Sequence, residues 1–412
     1  MSNDLGPLAA RVPEALRGTA AYHVPQPPQV RAKLDANELP YPLPEELRAR
    51  LGAALAEVAL ERYPDPNARE LRALVAKQLG VGGQQLVFGN GSDETIGMLV
   101  AAFAAPRTAQ EHGSVGRARP AAILYPTPTF VYYKLAAVAR GVEAIEVPLD
   151  AKFSPGPAPS APRSSAAAAL RTASGETHSG NAPSALPSGF EMDEAAIERA
   201  IETHRPSVVF LALPNNPTGT LWRMDFALEL AARHRDVCVV SDEAYFAYSG
   251  KTNLAQLAAH PNLVVMRTLS KVGMAGVRVG FTVSSQAIAQ LLEKVRPPYN
   301  VSSLDQRAAV FLLKEAADWC HARAAEVVRA RAVLADVIAK LPRAEVFPSE
   351  ANLLLVRFGA KRATKIWQGL ADRGIVVRNF DRQGPLEGCL RITVGTPQEN
   401  EWLIDALTEL CT

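Results

Sequence analysis

From residue 84 to residue 283 the chain alternates between short, unbroken apolar runs and stretches whose apolar residues recur every three or four positions. The runs lie at 86–88, 121–125 (ended by Pro126), 208–213, 237–241, 263–266 and 279–283. Apolar runs without polar alternation read as strands buried on both faces. Strands of that kind separated by helical patterns form a mostly parallel sheet covered by helices on each side. The first run leads through Gly89-Asn90-Gly91-Ser92 into a helix from about Asp93. Beyond Arg296-Pro297-Pro298 the texture changes. Residues 304–341 read as long and helical, followed by strands near 352–358, 375–378 and 389–394 and a closing helix from about 398. That ending predicts a smaller α+β unit. The expected class is α/β: a large domain with a mostly parallel sheet sandwiched by helices, and a small C-terminal α+β domain.

Pro25, Pro27, Pro28, Pro40, Pro42 and Pro44 make residues 1–45 an extended arm, since proline fixes φ and removes a donor. Leu47, Leu51, Leu55 and Val58 then fall at helical spacing. Two segments read as inserts: 107–119, and 154–189, which is rich in Pro, Ser, Ala and Gly. Neither could bury much apolar surface, so each is expected to be a disordered surface loop. The expected division is an arm at 1–45, a large domain at 46–297 and a small domain at 298–412.

Composition narrows the function. At 412 residues and 48% hydrophobic, the chain has room for two or three domains with a sizeable core. The net charge of +2 creates no field that would favour nucleic acid or an anionic membrane. Cys238, Cys320, Cys389 and Cys411 are far apart and make neither a disulfide nor a zinc framework, so no metal is expected and a reducing cytoplasm fits best. The first seven residues lack the basic start and apolar centre of a signal peptide, and no uncharged apolar run approaches the ~20 residues needed to span a bilayer.

The candidate chemistry sits at strand ends. Lys271 closes Met266-Arg267-Thr268-Leu269-Ser270-Lys271 and could form a Schiff base if burial disfavours its ammonium, although a lone lysine after a strand is usually just solvated. Asp242 ends the run at 237–241; it could cap a helix, or pair with a protonated pyridine nitrogen and keep such a ring an electron sink. Tyr245 and Asn216, the latter in Pro214-Asn215-Asn216-Pro217-Thr218-Gly219, could each bond the 3′-oxygen of that ring, or be a packed tyrosine and a plain turn. Gly91-Ser92-Asp93 opens a helix and could seat a phosphate, completed by Thr268, Ser270 and Arg278. Arg391 lies in the otherwise apolar run Cys389-Leu390-Arg391-Ile392 and needs an anion, either an internal carboxylate or a substrate; Arg378 is a second such candidate.

Taken in order, these residues resemble the aspartate-aminotransferase-like enzymes that use pyridoxal 5′-phosphate, and within them the histidinol-phosphate aminotransferases. The motifs that carry the resemblance are Leu34-Asp35-Ala36-Asn37-Glu38, Arg62-Tyr63-Pro64, 214–219, 242–245, 267–271 and 390–396. The resemblance implies a seven-stranded-type sheet and a homodimer with shared sites. It implies Lys271 as the Schiff-base lysine and proton carrier, Asp242 on the pyridine nitrogen, Asn216 and Tyr245 on the 3′-oxygen, and Phe130 stacked on the ring. Ser92, Asp93, Thr268, Ser270 and Arg278 would hold the phosphate, with Tyr63 reaching the phosphate of the other subunit. Tyr22, Asn37, Arg378 and Arg391 would handle the substrate. The loop from Lys271 to Arg278 is one residue shorter than the family's longer form, and the 154–189 insert has no counterpart in the family pattern.

The activity implied is transamination between histidinol phosphate and glutamate, in histidine biosynthesis. Other activities on the same scaffold are an aromatic or broad-range aminotransferase and a decarboxylase of a phosphorylated amino acid. A non-catalytic ligand-binding module of the kind attached to transcription regulators is disfavoured, since no basic helix-turn-helix precedes the domain. A nicotinamide-dependent enzyme is disfavoured because no G-x-G-x-x-G follows a strand.

Overall fold

The structure is a computed structural model that describes residues 12, 14–17, 29–105, 121–150, 189–381 and 384–412. Tyr22, the insert at 107–119, and the insert at 154–189 apart from Gly189 lie outside the described residues.

Among the described residues the strands form two sheets. β1 (Ala32–Leu34) belongs to the smaller one. The larger one holds β2 (Leu86–Asn90), β3 (Ala122–Thr127), β4 (Glu143–Pro148), β5 (Val208–Ala212), β6 (Cys238–Asp242), β7 (Leu263–Thr268) and β8 (Val279–Ser284). Its order is β2-β8-β7-β6-β5-β3-β4, parallel except for β8, which runs against both neighbours. The central strands are mostly apolar because both faces are covered, with polar residues gathered at the carboxyl ends of β6 and β7. Val209 and Leu211 of β5 pack into one core layer, while Val208, Phe210 and Ala212 pack into the other. The first layer meets helices α2 (Arg69–Leu79), α5 (Glu194–His204) and α6 (Asp225–Arg233). The second meets α3 (Gly91–Phe103), α4 (Tyr132–Val138) and α7 (Gln286–Val295). Helix α1 (Glu45–Ala56) lies over the first layer with Leu47 and Leu51, but none of its residues is fully buried.

The smaller sheet has order β1-β11-β12-β10-β9, with β9 (Glu345–Val346), β10 (Leu353–Arg357), β11 (Ile375–Asn379) and β12 (Cys389–Thr393). It packs with α10 (Arg362–Ala371) and α11 (Pro397–Cys411) around a second core. Helices α8 (Ser303–Glu315) and α9 (Ala317–Ile338) link the two cores. Cys320 near the start of α9 packs with the large sheet's layer, and Leu334 and Ile338 at its end pack with the small sheet.

Four expectations need correction. Residues 304–341 are two helices, since the chain breaks at Ala316. β3 continues through Pro126 to Thr127, because β5 pairs only with Ile123 and Leu124 and beyond them β3 is an edge on that side, where proline is tolerated. β4 is an edge strand whose residues alternate between exposed and covered, so no continuous apolar run marked it. Part of the proline-rich arm is a strand, β1, pairing in parallel with β11.

No helix among the described residues is long and apolar enough to cross a membrane, and no cluster of His, Cys, Asp or Glu could hold a metal ion. The four cysteines are free and buried.

Candidate active site

The carboxyl ends of β2, β3, β5, β6 and β7 open onto one cleft, where open α/β sheets place ligands. Ser92, Asp93, Phe130, Asn216, Asp242, Tyr245, Thr268, Ser270, Lys271 and Arg278 all line it. Ten positions from six separate segments therefore meet in one place.

Lys271 follows β7 in a short 3₁₀ turn, Ser270–Val272. Its Nζ donates to the carbonyl of Ala36 at 3.2 Å, and its own carbonyl accepts from the Tyr248 hydroxyl. Burial, aided by the Arg391 guanidinium, brings its pKa down to about 8. About a tenth of it is then neutral at pH 7, against well under a thousandth for an ordinary lysine.

Asp242 is the last residue of β6 and is buried. It accepts from the Tyr133 hydroxyl at 2.5 Å and from the Ala244 amide at 3.1 Å. Burial pushes its pKa up to about 6, partly opposed by those two donors. Among the described residues no basic side chain lies within ion-pair distance of it. Behind it, Glu243 forms a buried pair with Arg267, whose Nη2 donates to Glu243 Oε2 at 2.9 Å. Thr252 and the Asn253 amide complete the carboxylate's shell. That pair fixes the segment carrying Asp242 to Tyr245.

Asn216 accepts from Arg391 Nη1 at 2.6 Å, which leaves its amide nitrogen to donate elsewhere. Its neighbour Asn215 is structural: it is buried, and ties the turn to Pro128, Thr129 and Thr218. Tyr245 is buried, its pKa pushed up to about 12, and its hydroxyl accepts from Asn37 Nδ2 at 2.8 Å.

At the other end, Thr268 Oγ1 bonds Ser270 Oγ at 3.0 Å, and Arg278 Nη1 reaches the same Ser270 oxygen at 3.4 Å. Arg278 Nη2 donates to Asp93 at 3.1 Å across the start of α3. The shorter loop is thus compatible with Arg278 reaching the cleft, with Arg278 at φ +49°. The backbone here is tightly drawn: a Cβ on Gly91, at φ +74°, would come within 2.4 Å of Arg278 Nη2. A Cβ on Gly280 of β8 would come within 2.4 Å of the Ser92 amide.

Arg391 on β12 also donates to the Asp35 carbonyl. It lies directly opposite Arg378 across the β11–β12 ladder. Asn37, at φ +54°, is held by Thr393 and by Asn352. Tyr63 is not brought to this cleft by its own chain: it is 81% exposed and stacks on Tyr299 at 4.6 Å.

Tyr133 was missed from the sequence. Fully buried, it stacks on Phe210 at 4.7 Å and holds Asp242, 109 residues away. Its place three residues after Phe130, on the next helix, was the only available signal.

The aminotransferase class I and II family model matches residues 31–155 and 164–407. A histidinol-phosphate aminotransferase of Methylibium petroleiphilum is 38% identical over 98% of this chain and 97% of its own. One from Paracidovorax citrulli is 36% identical over 99% of both chains. In structure, the chain is similar to the histidinol-phosphate aminotransferase of Sinorhizobium meliloti, solved in complex with pyridoxal-5′-phosphate. That likeness has a TM-score of 0.74 and 21% identity over 98% of each chain.

Proposed function

The chain belongs to the aminotransferase class I and II family, and from that premise we propose that it carries out pyridoxal-phosphate-dependent transamination between histidinol phosphate and glutamate, a step of histidine biosynthesis. The substrate assignment draws its support from relatives of that name matched over nearly their whole length. The observation that carries the chemistry is the convergence on one cleft of a lysine brought down to about 8 and a buried carboxylate pushed up to about 6.

The cleft's donor set fits the cofactor. A buried carboxylate without a basic partner suits a protonated pyridine nitrogen, and the hydroxyls of Thr268 and Ser270 beside the Arg278 guanidinium suit a phosphate. Asp242 would hold the ring nitrogen, Asn216 and Tyr245 the 3′-oxygen, and Phe130 the ring face. Ser92, Asp93, Thr268, Ser270 and Arg278 would seat the phosphate at the start of α3. Bound there, the cofactor supplies an electron sink for charge developing at the substrate Cα. Lys271 as a free amine would take the proton from the substrate Cα and carry it to C4′, the carbon on the cofactor's side of the shared nitrogen. Asp242 would stay ionised beside the protonated ring nitrogen. Arg391 and Arg378 would share the substrate's carboxylate or phosphate, since like charges set opposite each other on adjacent strands are eased by an anion between them. Asn37 would stand at the same end.

The same reading makes the protein a cytoplasmic homodimer. Leu60, Tyr63, Tyr299 and Leu304 leave apolar surface that a second copy would cover, with Tyr63 reaching the other subunit's phosphate seat. The free cysteines suit a reducing compartment. It also divides the chain into an arm to residue 45, a large domain at 46–297 and a small one at 298–412. The large sheet falls wholly within the second, while β1 and α8 each cross a boundary to pack with another unit.

The test is a half-reaction. The visible absorbance of cofactor-loaded protein is followed on mixing with histidinol phosphate, glutamate, phenylalanine or O-phosphothreonine in turn. Change with both histidinol phosphate and glutamate is expected. A response to phenylalanine or O-phosphothreonine alone would overturn the substrate while keeping the chemistry. Lys271→Ala should abolish turnover, and normal activity in that variant would refute the mechanism.

A further inference from the structure

We propose that Thr393, on the small sheet, is a positioning residue that decides which way the Tyr245 hydroxyl points its proton. The inference deepens the function proposed above and rests on it.

Thr393 Oγ1 accepts from the Asn37 backbone amide at 3.0 Å and donates to Asn37 Oδ1 at 3.1 Å. Asn37 Nδ2 donates to the Tyr245 hydroxyl oxygen at 2.8 Å. Asn352 Nδ2 pins the same turn by donating to the carbonyls of Asn37, at 3.0 Å, and Glu38, at 3.3 Å. Thr393, Asn37 and Tyr245 are all buried, so water does not compete.

A carboxamide has one accepting end and one donating end, and a phenol has a single proton. Because the Thr393 hydroxyl gives its proton to Asn37 Oδ1, the amide presents its nitrogen to Tyr245. The phenol oxygen therefore accepts, and its own proton is left for the cleft, where the 3′-oxygen of the cofactor would lie. A reversed amide would take the Tyr245 proton onto Oδ1 and strip the 3′-oxygen of a donor. It would also leave the Thr393 proton without an acceptor. The hydroxyl of Thr393 is what makes one orientation the better one. Asn37 tolerates the turn because asparagine is among the few residues at ease with positive φ. The charged groups facing Tyr245 are Arg391, Asp242 and Lys271. None of them orders the amide.

The test uses the cofactor-loaded protein with T393V, T393S, Y245F and T393V/Y245F. Two quantities are read: the cofactor dissociation constant by dialysis, and the pH midpoint of the bound cofactor's visible band. Losing a donor to the ionised 3′-oxygen should weaken retention about tenfold and raise the midpoint by about one unit. T393V should show both changes, T393S neither. Y245F should show them too, and adding T393V to Y245F should change nothing more. Asn37→Asp, which offers only acceptors to Tyr245, should reproduce T393V with Thr393 intact. It also serves if T393V does not fold. A T393V shift of equal size in the Y245F background would overturn the relay, as would T393S behaving like T393V or an unshifted T393V. If even the wild-type protein forms no visible band with the cofactor, the proposed function falls and takes the relay with it. If the wild-type band is normal, any failure belongs to the relay alone.

Discussion

Asp242 is held by two donors but has no cation, and in the cofactor-free protein this carries a definite cost. Its carboxyl is raised from 3.8 to about 6 by burial. A group raised in the folded state stabilises the fold below its unfolded pKa and loses that contribution as the pH rises through its folded one. Between those limits the penalty grows to about 3 kcal/mol. Asp242→Asn, stripped of cofactor, should therefore melt a few degrees above the stripped wild type at pH 8. The advantage should shrink as the pH falls through about 6, which calorimetry at several pH values will check. Tyr133→Phe removes the hydroxyl that partly offsets that burial. It should weaken cofactor retention about tenfold, a loss typical of a hydrogen bond to a charged group, read by equilibrium dialysis. At this scale the meeting of Lys271, Asp242, Asn216 and Arg278 in one cleft was legible because each sits in a short motif beside a strand end. Tyr133 and Thr393 were not. Each acts through a partner distant in sequence, and a buried tyrosine or threonine in an apolar run looks like packing.

The start of α3 is shaped by its neighbour β8 as much as by its own residues. Gly280 leaves no gap beneath Ser92: a Cβ there would meet backbone, which cannot swing aside as a long side chain could. Gly280→Ala should cost about 1–3 kcal/mol in thermal unfolding. It should also weaken cofactor binding, because the same displacement moves the Ser92 amide. The elements that the chain announced clearly were the strands buried on both sides, whose apolar runs admit little else. β4 was hidden because an edge strand keeps one side wet, and β9, two residues long, has no pattern to display. The break at Ala316 was silent because neither proline nor glycine marks it. β1 ends at Leu34, where the Leu34–Glu38 motif begins, but its pairing with β11, more than three hundred residues on, is a property of the tertiary fold alone.

At the scale of the whole molecule, the proposed homodimer can be tested directly. Sedimentation should give twice the 44.2 kDa of one chain. If Tyr63 completes the other subunit's site, Lys271→Ala and Tyr63→Ala chains are each deficient alone. Allowed to exchange subunits at random, they should recover about a quarter of the wild-type sites, since half the dimers are hybrids with one intact site each. No recovery on mixing would place Tyr63 outside the partner's site. The two-core plan was legible in outline from the change of texture after residue 298. The role of α9 as a strut from one core to the other was not, because its apolar positions look the same along its whole length.

The four cysteines have a practical meaning. All are buried, and burial is the largest influence on each: it pushes the thiols of Cys238, Cys320 and Cys389 up to about 11 or 12 and that of Cys411 upward as well. The thiolate is the form that reacts, so maleimides and spin labels will find little to attack in the native fold. The wild-type chain is in this respect already a silent background. One cysteine placed at an exposed position of each sheet's domain, for instance at Glu202 and Glu409, away from the face that Leu60 and Tyr63 present to a second copy, would carry a pair of probes. The distance between the two sheets could then be followed while substrate enters and leaves, with no native residue removed first.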